Sequence, residues 1–132
     1  MASIFTKIIK GEIPSYCVAE NDAFFAFLDI NPNSVGHTLV VPKREVDRIF
    51  DLEEKEYMDL MAFSRKLAMA IERVIPCNRV GLSVIGLEVP HCHVHLIPLE
   101  NMGSINFGNS IEMSPQEFES TAKKIRESFE NS

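Results

Sequence analysis

Between Pro90 and Pro98 the chain reads Pro90-His-Cys-His-Val-His-Leu-Ile-Pro98, with histidine at every second position. This run constrains the fold most. Its Val, Leu and Ile favour an extended chain, and the prolines bound it. Successive strand side chains point to opposite faces, so His91, His93 and His95 are predicted to share one. Their Cα atoms would stand about 6.5–7 Å apart from one histidine to the next. Cys92, Val94 and Leu96 are left for the other face and suit a core. The fourth and last histidine, His37, opens a second apolar run, His37-Thr-Leu-Val-Val41. One strand that packs one face and lines the other with imidazoles is a candidate reaction site.

The rest of the chain supplies a scaffold. Its 132 residues suit one domain, residues 1–132, and bury a real core. Ile4 to Lys10 is predicted as a short helix stopped by Gly11. Ser15–Glu20 and Ala23–Ile30 read as strands around an Asn21-Asp22 turn. The loop Asn31–Gly36 precedes the strand His37–Val41, which Pro42 ends. Three consecutive strands with short links pack as an antiparallel meander. A long helix follows, with Asp51 and Glu54 at capping-box spacing and a stripe of Tyr57, Leu60, Met61, Leu67, Ala68, Ile71, Val74 and Ile75. Pro76 closes it. Val80–Ile85 and Cys92–Ile97 are the fourth and fifth strands. Ser114-Pro-Gln-Glu117 opens a last helix as a capping box, with Phe118, Ala122, Ile125 and Phe129 inward. Segment 101–113 fits strand or loop equally. The fold class is α+β: a five-stranded antiparallel sheet, two main helices and a short N-terminal helix.

Charge and composition narrow the partners. A net charge of −6 disfavours DNA and RNA, which need a basic footprint. No apolar run approaches the ~18 residues that cross a bilayer, so no membrane partner is expected. The start lacks the long apolar core of a secretory signal, so the protein is expected in the cytoplasm. Cys17, Cys77 and Cys92 are odd in number and widely spaced, and read as buried reduced thiols.

Two chemistries use several imidazoles on one face. Zinc accepts histidine nitrogens at about 2.0 Å, and a His-x-His strand can offer two. A third histidine on a straight strand lies some 13 Å from the first, which is too far to converge on one ion. His37 could complete a set, but no acidic residue beside it makes a ligand pattern. No metal site and no cofactor are therefore assigned. The second chemistry is nucleophilic attack on phosphorus. A neutral imidazole takes the phosphoryl group covalently, provided that its other nitrogen is held as N–H. A second imidazole serves the leaving group, and further ones fix the tautomers.

His91-Cys-His-Val-His-Leu-Ile97 resembles the signature of the histidine triad family. Ile4-Phe-x-Lys-Ile-Ile-x-Gly-Glu-Ile-Pro14, Phe27-Leu-Asp-Ile-Asn-Pro32 and Gly36-His-Thr-Leu-Val-Val-Pro-Lys43 extend the resemblance over residues 4–98, toward the small Hint-type nucleotide-binding branch. The resemblance implies a homodimer with a continuous sheet. It implies hydrolysis or transfer at the α-phosphate of a nucleoside monophosphate conjugate, a phosphoramidate or a dinucleoside polyphosphate, through a nucleotidyl-histidine. The implied partner is a purine nucleotide or its conjugate. In that pattern His93 is the nucleophile and His95 serves the phosphate and leaving group. His91 and His37 support them, Asp29 holds the ribose, and Phe5, Ile8, Phe27 and Ile30 surround the base. The chain departs from the pattern just before the triad. Leu87 stands in place of a glutamine, and Glu88 in place of a small hydroxyl residue. Lys43 and Arg44 are the nearby cations that could compensate. Two alternatives follow: a nucleotide sensor or scaffold with little catalysis, and a metalloprotein using His91, His93, His95 or His37.

Overall fold

The computed structural model describes residues 2–104 and 108–132. Helix α1 (Ile4–Ile9) begins where the Ser3 side chain accepts the Thr6 N–H, and the chain leaves it through Gly11 at φ +78°. Strands β1 (Cys17–Glu20) and β2 (Phe24–Leu28) form a hairpin. Asn21 Oδ1 makes its turn by accepting the N–H groups of Ala23 and Phe24 at 2.9 and 2.8 Å. Strand β3 (Thr38–Pro42) pairs with β2, Phe24 facing Pro42 and Leu28 facing Thr38. Strands β4 (Arg79–Ser83) and β5 (Val94–Leu99) complete one sheet in the order β1-β2-β3-β5-β4, with every pair antiparallel. The meander and the α+β class are as the sequence predicts.

The long helix, α2 (Glu54–Val74), starts later than capping-box spacing suggests. Asp51 is not its cap. Its N–H is bonded to Arg48 in a single turn of 3-10 helix, Ile49–Asp51. Leu52 then turns extended, with ψ 147°, and inserts into the core, which restarts the chain in a new phase. The helix ends at Val74 because Ile75 precedes Pro76 and is extended. Its buried stripe includes Phe63 and Ala70, which the sequence pattern left out. Helix α3 (Pro115–Glu130) opens with the predicted Ser114–Glu117 capping box, both of its hydrogen bonds formed. Residues 102–104 of the ambiguous segment are a 3-10 turn, and residues 105–107 lie outside the described residues.

The two faces of the sheet are covered differently. On one, Phe24, Ala26, Leu28, Val40, Val94 and Leu96 pack against Leu60, Leu67 and Ile71 of α2 and Phe118 and Ile125 of α3. On the other, Phe25, Phe27, Leu39 and Val41 meet Phe5, Ile8 and Ile9 of α1. Among the described residues that face has only one short helix over it, and it is left with a cleft. The thiols are free and only Cys92 is fully buried; Cys17 and Cys77 are half-buried, contrary to expectation. Among the described residues no helix is long and apolar enough to cross a membrane.

Candidate active site

Strand β5 begins at Val94, so only His95 of the alternating histidines lies in a strand. His91 and His93 belong to the segment that enters it. The His91 N–H turns back onto the Val89 carbonyl at 2.8 Å, and the Cys92 N–H is taken by Val46 at 2.7 Å. These bonds pull the segment out of the ladder. The rings still gather. His93 and His95 stand 5.0 Å apart at their centroids, and His37 and His95 stand 5.2 Å apart. Phe5 packs edge-on against both His91 and His93, at 5.8 and 4.9 Å. The expected inward set is also present, since Cys92, Val94 and Leu96 are buried in the core beneath α2.

His37 reaches this group through the sheet. Leu39 pairs with His95 across β3 and β5, so the residue two positions earlier lies diagonal to it on the same face. Across β2 and β3, Leu28 pairs with Thr38, and the Asp29 N–H bonds the His37 carbonyl at 3.0 Å. Asp29 and His37 are therefore neighbours although the loop 30–36 separates them in sequence. Asp29 Oδ2 lies 3.6 Å from His37 Nε2.

Hydrogen bonds determine each tautomer. His91 Nε2 lies 2.7 Å from the Pro42 carbonyl, which can only accept, so this nitrogen carries the proton. Its Nδ1 then accepts from the Ser3 hydroxyl at 2.7 Å. By the same logic His93 Nδ1 donates to the His91 carbonyl at 2.8 Å, and Nε2 keeps its lone pair. His37 Nδ1 accepts the Asn33 N–H at 3.0 Å, so Nε2 bears the proton and donates to His95 Nδ1 at 3.0 Å. The remaining nitrogen of His95, Nε2, consequently carries a proton.

Burial keeps three of these rings, His37, His91 and His95, neutral. It lowers the pKa of His37 to about 3, with His95 adding to the effect. It lowers that of His95 to about 4, aided by His93. His91 is also lowered by burial, against the opposing pull of the Pro42 carbonyl and Glu45. The Asp29–His37 contact is thus no ion pair at neutral pH. Burial raises the pKa of Asp29, and the Asn31 N–H bonded to Oδ1 at 2.9 Å acts the other way.

A cleft of about 540 Å³ opens beside the array. Phe5, Ile8, Phe27 and Ile30 form its apolar wall, and Asp29, His93 and His95 its polar end. Every residue singled out for the base, the ribose and the reaction therefore meets in one place, while His37 and His91 stand behind the lining. Ile30 is 67% exposed on the rim, which suits covering by a flat ligand. The segment 85–89, with Leu87 and Glu88, also lines the cleft. Lys43 and Arg44 do not border the cleft. They pair with Glu20 at 2.7 Å and Glu56 at 2.6 Å.

Sequence reasoning missed a clamp behind the array. Glu45 Oε1 accepts the Ser3 N–H and the Thr6 hydroxyl, each at 2.7 Å. These two bonds hold the Glu45 carboxylate down to a pKa of about 2. Ser3 caps α1 and also donates to His91, so the clamp ties the helix carrying Phe5 and Ile8 to the histidines. The only sequence signal was Ser3-x-x-Thr6 at a helix start, and nothing local links it to Glu45. Asn33, whose backbone sets the His37 tautomer, was likewise unreadable.

The residues considered for a metal, His91, His93, His95 and His37, do not form one ligand set. His91 has both nitrogens committed and His93 offers one. Asp29, His37 and His95 do present ligand atoms within 4.8 Å of one another. An ion there would have to replace the proton shared by His37 and His95.

An antiparallel sheet carrying four buried, interlinked histidines beside an aromatic cleft defines a distinct class of protein. Residues 10–102 match the HIT domain model, and the chain belongs to the HIT, or histidine triad, family. It is 34% identical to the adenosine 5'-monophosphoramidase hnt1 of Schizosaccharomyces pombe, over 95% of this chain and 96% of that protein. It is 39% identical to the adenosine 5'-monophosphoramidase HNT1 of Saccharomyces cerevisiae, over 74% of this chain and 62% of that one. The solved structure of a Hit-like protein involved in cell-cycle regulation from Bartonella henselae superposes with a TM-score of 0.84 at 32% identity, over 96% and 95% of the two chains.

Proposed function

We propose that this protein hydrolyses nucleoside 5'-phosphoramidates, or transfers their nucleotidyl group, through a covalent nucleotidyl-histidine on His93. The observation that carries this reading is the His93 Nδ1–H bond to the His91 carbonyl, which leaves Nε2 as a nucleophile at the cleft. The two monophosphoramidase relatives support the same substrate class, with adenosine as the nucleoside.

The lone pair of His93 Nε2 attacks phosphorus and forms an N–P bond. The P–N bond to the leaving amine breaks, and its electron pair goes to the amine nitrogen. That nitrogen also takes a proton from solvent, passed through His95 Nε2, and departs as a neutral amine. Water then attacks phosphorus, the N–P bond breaks, and its electrons return to His93. The water gives up one proton to solvent, which balances the first. The net reaction is conjugate plus water to amine plus nucleoside monophosphate. Asp29 accepts from the ribose hydroxyls, and Phe5, Ile8, Phe27 and Ile30 hold a purine. His91 and His37 hold the two reacting rings in their working tautomers.

Two copies of the chain form the working unit in this reading. β4 lies at an edge of the sheet with Leu82 45% exposed, so a second β4 could extend it. Light scattering should return twice the chain mass. The reading also sites the protein in the cytoplasm.

The test is a quench experiment with adenosine 5'-phosphoramidate. Mass spectrometry should find one adenylyl group on the peptide containing His93, and steady-state assays should find the free amine. Binding without adduct or turnover would instead establish the sensor reading that Leu87 and Glu88 motivate. Metal analysis of untagged protein checks the remaining reading: a stoichiometric ion lost in Asp29→Ala and His37→Ala would replace the hydrogen-bonded relay.

A further inference from the structure

Glu45 lies just past the end of β3 and does not line the cleft. In the same stretch the Pro42 carbonyl accepts from His91 Nε2, while the Ser3 hydroxyl donates to His91 Nδ1. Ser3 is held in turn by Glu45, which accepts its N–H at 2.7 Å. His91 is buried with both nitrogens used, so its ring turns only by breaking a bond. The His91 carbonyl receives His93 Nδ1–H at 2.8 Å, so this chain of bonds ends on the attacking ring. A second chain runs through α1. Phe5 sits between Ser3 and Thr6, which Glu45 holds, and its ring meets His93 edge-on at 4.9 Å. Each of these supports of the His93 ring leads back to one carboxylate. Thr6 shows why an acceptor is needed there. Its hydroxyl has one proton and three acceptors near it: Glu45 Oε1 at 2.7 Å, Ser3 Oγ at 3.3 Å and His91 Nδ1 at 3.4 Å. Glu45 is the nearest and takes the proton, which leaves His91 Nδ1 to Ser3. Without Glu45 the Thr6 hydroxyl turns to Ser3 or His91 and pulls against the Ser3–His91 bond.

We propose that Glu45 is a positioning residue for the reaction: through Ser3 and Thr6 it holds His91 and Phe5 in place, and so keeps the His93 ring aimed at the substrate. This rests on the nucleotidyl-transfer reading above and deepens it. Glu45 touches no substrate and passes no proton. Its contribution is the reach of an acceptor oxygen, with the negative charge secondary. Attack on phosphorus depends on the direction of one lone pair, so a small swing of the ring is felt in kcat. Phe5 also lines the cleft, so KM follows by a smaller factor.

The experiment compares Glu45→Ala, Glu45→Asp and Glu45→Gln with the wild type. Glu45 is exposed, so none of these opens a cavity in the core. With adenosine 5'-phosphoramidate, Glu45→Ala should lower kcat about tenfold or more. Glu45→Gln keeps an acceptor oxygen at the same reach without the charge, and should recover most of that loss. Glu45→Asp keeps the charge without the reach, and should resemble Glu45→Ala. Nitrogen-15 NMR of the imidazoles in the free protein supplies a readout that needs no turnover. The His91 and His93 ring signals should shift and broaden in Glu45→Ala and Glu45→Asp and return in Glu45→Gln. The His37 signals, at the other end of the array, should hold their positions throughout. Wild-type kcat and ring signals in Glu45→Ala, even with a lower urea midpoint, would reduce the clamp to a structural tie and overturn the proposal. Recovery by Glu45→Asp with none by Glu45→Gln would overturn it in favour of a charge effect. Absence of turnover and of His93 adduct in the wild type would overturn the transfer reading, and the ring signals would still decide whether Glu45 positions His93.

Discussion

The two ends of the histidine array are held by different kinds of bond. At one end His91 and His93 donate to the backbone carbonyls of Pro42 and His91. A carbonyl cannot donate, so these tautomers are pinned by groups that have no alternative. At the other end His37 and His95 face each other, and either ring could in principle be the donor. Their order is set by one backbone N–H, that of Asn33. The pinned end suits a nucleophile, which must always present a lone pair. The ring-to-ring end suits a carrier of protons, which must exchange them. The difference shows how one residue type serves two roles through the identity of its hydrogen-bond partner.

Substitutions should separate the two ends, starting with the largest effect. His93→Ala should lower kcat by about a thousandfold or more, since it removes the attacking atom. Nucleoside monophosphate affinity, measured by calorimetry, should survive, and normal turnover would refute the pinned-nucleophile role. His37→Ala should lower kcat less, by about a hundredfold, because it releases the His95 tautomer but leaves the nucleophile in place. A loss as deep as that of His93→Ala would mean that the two ends are not distinct. Asp29→Ala should raise KM about tenfold with a smaller change in kcat, as expected for a ribose contact. Ser3→Ala should cost about 1–2 kcal/mol of stability through the lost cap and the lost bond to His91. Urea unfolding measures it, and an unchanged midpoint would detach the clamp from the array.

The ring-to-ring end also predicts a pH dependence of stability. His37 and His95 titrate near 6.5 in an unfolded chain but near 3 and 4 in the fold. Between these limits the unfolded state binds more protons. Stability therefore rises with pH across the window, is full above about 6.5, and is lost as pH falls toward 4 and then 3. Each histidine contributes a slope of up to about 1.4 kcal/mol per pH unit inside its own window. Urea midpoints of wild type and His37→Asn should diverge below pH 6.5, with the wild type the steeper. Parallel curves would show that His37 is not buried as a neutral ring.

Much of the fold was legible because its signals are local. Gly11, Asn21, Pro76 and the Ser114–Glu117 pair each act within a few residues, and they bound α1, the first hairpin, α2 and α3. The central strands are uniform apolar runs that admit little else. The start of α2 was misread because burial of Leu52 outweighed the local fit of Asp51 and Glu54. The gathering of His91, His93 and His95 was legible from spacing two, although the Val89 and Val46 carbonyls keep the first two out of the ladder. Asp29 beside His37 could have been read from the pairing of β2 with β3. The Ser3–Thr6–Glu45 clamp could not, since it spans 42 residues and joins elements with no shared pattern.

By itself the sequence determined which side chains were available, their alternation, the α+β order of elements and the one anionic residue, Glu88, just before the triad. Covalent spacing and backbone preference suffice for those. The tertiary structure alone decided which nitrogen of each histidine holds a proton, and that Lys43 and Arg44 stay out of the cleft. Those outcomes depend on hydrogen-bond partners and burial supplied from distant parts of the chain. An imidazole has no chemistry of its own choosing until such neighbours fix its charge and its tautomer.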